Sequence, residues 1–432
     1  MKRIAALLLL AACSPPQRSA DGPPDIVLIL ADDLGWGDLG PRTLEINRLA
    51  SQGVRFTRFY SNGAECTPTR TALLTGRYPQ RVGGLECAIG NGNVGRYDDA
   101  IRLRERNDLG LPASESALAR LLRGAGYETA IVGKWHLGYE TKFFPEHHGF
   151  DSWFGPLGGG VDYFHHTEPD GTLMLYQDGR PVRRNGYLTD LLADEAIAFL
   201  RRPRRRPYFL YLPFTAPHLP GQGPDDRHDR PLTEEGWNKA TEATYTQMIE
   251  RMDRRIGDVL AAVDPSRTIV IFTSDNGATS VGSNGPLAGK KGTLFEGGIR
   301  VPCIVRWPGV LPAGATSDRL SLTMDLTASL VRAAGVRPDR PFDGREMLTD
   351  LRPESRTVFW RHRRGTATWR AAREGDLKYL TRSDGNRIVE EKLFDLAADP
   401  NEKSDLLAKR GEDARRLGAL LSAWEADVTP AR

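Results

Sequence analysis

"DIVLILADD", residues 25–33, is a near-continuous apolar run closed by two aspartates. Three other stretches have the same build: "TAIVGKWH" (129–136), "YFLYLPFTAPH" (208–218) and "TIVIFTSDNG" (268–277). None alternates apolar with polar residues, so each reads as a strand buried on both faces of a mostly parallel sheet. Between them lie helical patterns, "ALARLLRGAG" (117–126), "YLTDLLADEAIAFLRR" (187–202) and "YTQMIERMDRRIGDVLAAV" (245–263). This alternation predicts an α/β fold with helices on both faces of the sheet. No repeat or low-complexity block interrupts it.

Each of the four runs ends in ionisable or polar residues: Asp32 and Asp33, Lys134 and His136, His218, Asp275 and Asn276. In open α/β sheets, ligands bind beyond the carboxyl ends of the strands, so these residues should converge there. Asp275-Asn276-Gly277 alone would be a plain turn. Together with Asp32 and Asp33 it forms a set of hard oxygen donors, which suits Ca2+ or Mg2+ better than Zn2+.

The chain has 432 residues, 40% of them hydrophobic, enough for one large domain and a smaller one. Its net charge is +3, or +1 without Lys2 and Arg3, a balance that gives no general case for binding nucleic acid or anionic membrane. "RRPRRRP" (201–207) and "RHRR" (361–364) are local basic clusters, read as solvated turns.

Lys2 and Arg3 followed by "IAALLLLAA" make residues 1–12 a signal peptide, the apolar run being too short to span a bilayer. "LAAC" (10–13) resembles the lipobox of bacterial lipoproteins. Cys13 would then carry lipid and residues 13–24 would be a Pro-rich tether, giving an exported protein of the periplasm or outer membrane. That lipid would be its sole membrane contact, since no later segment has the length and purity of a transmembrane helix. Lipidation of Cys13 leaves Cys66, Cys87 and Cys303, an odd number in an oxidising compartment, so at least one is unpaired or modified. Cys303, within "VPCIVRW", reads as a small buried hydrophobe.

"CTPTRTALLTGRYPQR" (66–81) places a cysteine at the mouth of a helix. Thr67 suits its cap, Pro68 its first position and Gly76 its end. Free N–H groups and the helix dipole favour an anion there, and Arg70 adds a fixed charge. A disulfide, a thiolate nucleophile and a modified residue are all compatible with Cys66 on these grounds.

The same stretch resembles the signature of the type I sulfatases, C-x-P-x-R followed by a helix of small residues and T-G-R. "ADDLGWGDLG" (31–40), "GKWHLG" (133–138), "TSDNGA" (273–278) and "GKKGTLFEGGIRVP" (289–302) are similar to further blocks of that family, in its order. "WRAAREGDLKYL" and "LFDLAADPNEKSDLL" are similar to its C-terminal subdomain, so the resemblance spans essentially residues 25–410. It implies an alkaline-phosphatase-like catalytic domain over 25–340 and a small C-terminal α+β subdomain with an antiparallel sheet over 341–432. It also implies conversion of Cys66 to formylglycine by a formylglycine-generating enzyme. By position, Asp32, Asp33, Asp275 and Asn276 would hold Ca2+, or Mg2+, together with residue 66. Arg70, Lys134 and Lys291 would hold the sulfate oxygens. His136 would act on the aldehyde hydrate, and His218 or Lys291 would give a proton to the leaving oxygen.

These residue types suit the chemistry. A sulfate monoester repels nucleophiles until cations neutralise it. One hydroxyl of a hydrate can attack sulfur and the second can later expel sulfate, a route closed to a simple Ser or Cys ester. The expected activity is hydrolysis of aryl or carbohydrate sulfates, with a sulfated small molecule or glycan as partner. A phosphonate or phosphate monoester hydrolase of the same fold is the first alternative, and a non-catalytic glycan-binding lipoprotein the second. Of the other histidines, His165 and His166 follow the Gly-rich "GGGVDYFHH" and either line the cleft or lie on a surface loop. His147, His148, His228 and His362 read as surface or structural, and Trp135 and Trp153 as core.

Overall fold

The computed structural model describes residues 22–429, with Ser116 excepted. Residues 1–12, expected to be a signal peptide, and Cys13 lie outside the described residues. The four apolar runs form strands β1 (Asp25–Ala31), β2 (Glu128–Val132), β4 (Tyr208–Pro213) and β5 (Thr268–Ser274). With β3 (Ser152–Pro156) and β6 (Cys303–Arg306) they make the middle of a ten-stranded sheet, in the order β6-β5-β1-β4-β2-β3. β5, β1, β4, β2 and β3 are mutually parallel, whereas β6 runs antiparallel to β5. Parallel pairing in adjacent positions delivers the four polar strand ends to one edge of the sheet. β1 is buried along its whole length, which explains its unbroken apolar sequence.

Six of the helices form two groups. Leu44–Ser51, Leu188–Leu200 and Glu242–Ala261 pack together, and Cys66–Thr75, Leu118–Gly124 and Thr323–Ala333 form the second group. Beyond residue 356 four strands, β7 (Thr357–Arg364), β8 (Ala367–Glu374), β9 (Leu377–Asp384) and β10 (Arg387–Asp395), form an antiparallel meander. The helix Gly411–Val428 packs on β8 and β9. Among the described residues, no helix is long and apolar enough to cross a membrane.

Two local readings are corrected. "RHRR" (361–364) is the end of β7 rather than a solvated turn. There Arg361 pairs with Glu86 at 2.6 Å, Arg363 with Asp98 and Asp99, and His362 is buried. Complementary carboxylates on the large domain, remote in sequence, draw these arginines into the structure. Of the histidines read as surface or structural, His148 is structural, buried with its ring centroid 4.9 Å from that of Trp135. The helix expected to start at Pro68 begins at Cys66, with Glu65 at its cap position and no side-chain cap. Thr67 is therefore inside the first turn, and its hydroxyl has other partners.

Candidate active site

Cys66, in the first turn of its helix, points its sulfur into the edge where β1, β2, β4 and β5 end. Sγ donates to Asp32 Oδ1 at 3.3 Å and accepts from Lys134 Nζ at 3.4 Å and Lys291 Nζ at 3.6 Å. Lys134 also pairs with Asp32, and Lys291 Nζ lies 2.7 Å from Asp33 Oδ1. Arg70, one turn along the helix, donates to Asp275 Oδ2 through Nη2 at 2.9 Å and to the Lys134 carbonyl at 2.8 Å. Asp275 Oδ1 accepts from the Asp33 amide at 3.3 Å, and Asn276 Nδ2 donates to Asp33 Oδ1 at 2.7 Å. The structure thus brings together every residue singled out at the strand ends, although Asp32 and Asp275 lie 243 positions apart in the chain.

The histidines are oriented by backbone carbonyls. His136 Nε2 lies 2.7 Å from Ile89 O, so this nitrogen carries the hydrogen and Nδ1, buried and unpartnered, is left as the acceptor. His218 Nδ1 lies 2.7 Å from Leu219 O, which leaves Nε2, 3.7 Å from Asp33 Oδ2, as its open nitrogen. Burial, reinforced by Lys134, holds His136 well below the usual histidine range. Burial and the nearby Lys291 and Lys134 bring His218 to about 4. Both imidazoles are therefore neutral at pH 7.

Burial, with Asp32 beside it, raises the Cys66 thiol well above its ordinary range and outweighs Lys134 and Lys291. An unmodified Cys66 is thus a protonated thiol. Burial also disfavours the Lys291 cation, but Asp33 and Asp32 outweigh it and keep the ammonium charged.

The acidic set fits a divalent cation. Donor atoms of Asp32, Asp33, Cys66 and His218 all lie within 4.8 Å of one another. Beside them Asn276 Oδ1 is buried with no hydrogen-bond partner, an acceptor of the hard type that Ca2+ or Mg2+ takes. Burial, with Asp275 nearby, pushes Asp32 upward, whereas at Asp33 burial is outweighed by Lys291, which holds the carboxyl at about 2. Asp275 stands slightly apart from the others, with its two oxygens engaged by Arg70 and the Asp33 amide.

Sequence reasoning missed three supports. Thr67 Oγ1 donates to His136 O at 3.1 Å and accepts from Ile89 N at 3.2 Å, clasping the two segments that orient His136. Gly159 packs on that imidazole so closely that a Cβ would lie 2.7 Å from its ring. Glu65 accepts from the Ala88 amide at 2.7 Å and from Arg364 at 3.1 Å. Only the glycine run of "GGGVDYFHH" left a trace in the sequence, as a place where backbone approaches something closely.

The Sulfatase family model matches residues 24–336. The chain is 36% identical over 375 residues to N-acetylgalactosamine-6-sulfatase of Canis lupus familiaris, covering 79% of this chain and 68% of the relative. It is 34% identical over 444 residues to steryl-sulfatase of Mus musculus, covering 81% and 68%. Among solved structures, Ps i-CgsB in complex with k-i-k-neocarrahexaose superposes with a TM-score of 0.79 at 27% identity, covering 95% of this chain and 94% of that one.

Proposed function

This chain belongs to the sulfatase family and is a sulfuric ester hydrolase, and we propose that it removes sulfate from carbohydrates through formylglycine at position 66 and a divalent cation. The observation that carries the reading is the contact set of Cys66 Sγ, with Asp32, Lys134 and Lys291 all within 3.6 Å of one buried atom at a helix mouth. A lone thiol needs neither two ammonium groups nor a carboxylate cluster, whereas a sulfate group arriving there needs cations on several sides. The carbohydrate preference draws on an N-acetylgalactosamine-6-sulfatase and a neocarrahexaose complex among the similar proteins.

The cation, held by Asp32, Asp33 and Asn276 with residue 66 and backed by Asp275, would supply Lewis-acid neutralisation of the sulfate charge. Formylglycine, as a hydrate, would supply the oxygen nucleophile that a thiol lacks. Lys134 and Lys291 bind sulfate oxygens from two sides of residue 66. Arg70 bonds Asp275 and lies 3.5 Å from Asp32, fixing the two carboxylates relative to each other. Lys291, whose ammonium stays charged, is the group to pass a proton to the departing ester oxygen, while His218 Nε2 is open but carries no hydrogen at pH 7. His136 Nδ1 is the acceptor available to residue 66. Maturation would call for a formylglycine-generating enzyme. Export with a lipid on Cys13 completes the proposal and rests on "LAAC" alone, so Cys13→Ser should move the protein from a membrane to a soluble fraction with turnover intact.

The test is a panel of sulfated mono- and oligosaccharides beside aryl sulfate and aryl phosphonate. Sulfated sugars should be the fastest substrates. Preference for phosphonate would favour the alternative hydrolase. Chelation should abolish turnover, and Ca2+ or Mg2+ should restore it. Full activity in protein shown metal-free by elemental analysis would remove the cation from the reading.

A further inference from the structure

The loop that carries Lys291 ends in a buried ionic cluster that the chemistry above does not use. Glu296 is fully buried, and its Oε1 lies 3.0 Å from Lys378 Nζ on β9, itself fully buried. Lys378 Nζ is also 2.9 Å from Glu402 Oε1, while Glu402 Oε2 accepts from the Glu296 amide at 2.6 Å. The other oxygen of Glu296 accepts from Tyr60 Oη at 2.6 Å and lies 3.6 Å from Arg373 of β8. Two strands and one loop of the C-terminal region thus converge on one residue of the large domain, Glu296. Burial disfavours the charge on Glu296, but Lys378 and Arg373 outweigh it and hold the carboxyl at about 2.

Glu296 is followed directly by the backbone that braces the cation ligands. Gly277, the residue after Asn276, donates its amide to Gly298 O at 3.0 Å. Gly277 meets Gly297 so closely that a Cβ on it would sit 1.8 Å from Gly297 O. On the other limb of the loop, Lys291 N donates to Ala278 O at 3.0 Å. The segment 275–278 is therefore gripped on both sides by 291–298. The outer side of that grip is tied by Glu296 to the C-terminal sheet.

We infer that Lys378, Glu402 and Arg373 act through Glu296 as positioning residues for the cation site. They fix the Gly297–Gly298 backbone against Gly277 and so hold Asn276 Oδ1 aimed at the ion. Burying several charges is a poor way to gain stability alone, since apolar residues of similar volume often do as well. Directional fixing of one backbone segment is something that apolar packing does less well. The inference rests on the divalent-cation reading of Asp32, Asp33 and Asn276. Coupling between sites is reciprocal, so if the cluster tightens cation binding, cation binding must stabilise the cluster.

The experiment is calcium titration of chelated full-length protein by calorimetry, with thermal unfolding measured in parallel. Wild type is compared with Lys378→Arg, with Lys378→Met, and with Lys378→Met/Glu402→Gln, which removes opposite charges together. The two Met variants should bind Ca2+ at least ~10-fold more weakly, and Lys378→Arg should recover most of that loss. Arg356→Met breaks another buried pair, Arg356 with Asp325, and should lower the melting temperature with calcium affinity unchanged. Folded Met variants with wild-type affinity would overturn the inference. Binding of neither Ca2+ nor Mg2+ by wild type would instead overturn the cation reading itself. Should the Met variants not fold, hydrogen exchange on wild type decides: removing calcium should speed exchange at Gly277, Glu296 and the β9 amides, and unchanged protection there would refute the coupling.

Discussion

Cys66 shows how much a single position depends on its surroundings. It is buried, free of any disulfide, and held between two ammonium groups and a carboxylate. A thiolate attacking sulfur there would form a thiosulfate-type ester with no internal means of release, whereas an aldehyde hydrate carries both the attacking and the expelling oxygen. Peptide mass spectrometry across 66–70 should therefore show a loss of ~18 Da against cysteine in active protein. Cys66→Ala should reduce turnover by ~10^3-fold or more with the fold retained. Full activity in protein with unmodified Cys66 would exclude this chemistry. Glu168 gives a different residue-scale test, on stability. Burial, with Asp170 nearby, pushes its carboxyl up to about 7, and its Oε1 has no hydrogen-bond partner. Because the folded-state value lies above the unfolded one, near 4.5, stability is full below that pH and falls as pH rises through about 7. Melting temperature should accordingly drop over this window in wild type, and Glu168→Gln should flatten the drop. Identical pH profiles would show that Glu168 titrates normally.

At the scale of elements, the Cys66 helix is bounded by chemistry that the sequence displays only in part. Its end was legible: Gly76 adopts φ +69 and donates its amide to Ala72 O at 2.9 Å. A Cβ there would meet Phe342 Cδ1 at 2.7 Å. Gly76→Ala should cost about 1–2 kcal/mol from the left-handed backbone and the contact together, read from urea unfolding. A change within error would mean that the turn relaxes freely. The start of the helix was misread because Thr67 is an ordinary capping residue in sequence. Its hydroxyl is claimed by His136 O and Ile89 N, partners 69 and 22 positions away. Since every residue of the helix is buried, no apolar stripe marks which side faces the site.

For the whole molecule, the association of the two sheets matters most. Trp360 of β7 is fully buried, donates Nε1–H to Ser61 O at 2.8 Å and meets Tyr60 edge-on at 5.8 Å. Tyr60 in turn holds Glu296, so the apolar and ionic parts of the contact are continuous. Trp360→Ala should lower stability by about 3–5 kcal/mol, measured by chemical denaturation. A loss below ~1 kcal/mol would show that the sheets associate without this anchor.

The amino-acid sequence by itself determined the strands, their polar ends and the helix that presents Cys66. Unbroken apolar runs, a left-handed glycine and hard oxygen donors are local signals, written within a few residues. It also determined the family, because several ordered motifs are jointly specific where each alone is weak. Only the tertiary structure decided the order β6-β5-β1-β4-β2-β3, which sets Asp275 of one strand end beside Asp33 of the next. It alone turned "RHRR" from a solvated turn into paired strand residues, selected Nδ1 of His136 as the open acceptor, and tied Lys378 to Glu296 across 82 positions. Charges and carbonyls carry no label of their partners. Which of them meet is settled when burial removes water and leaves each buried polar group needing a counterpart within reach.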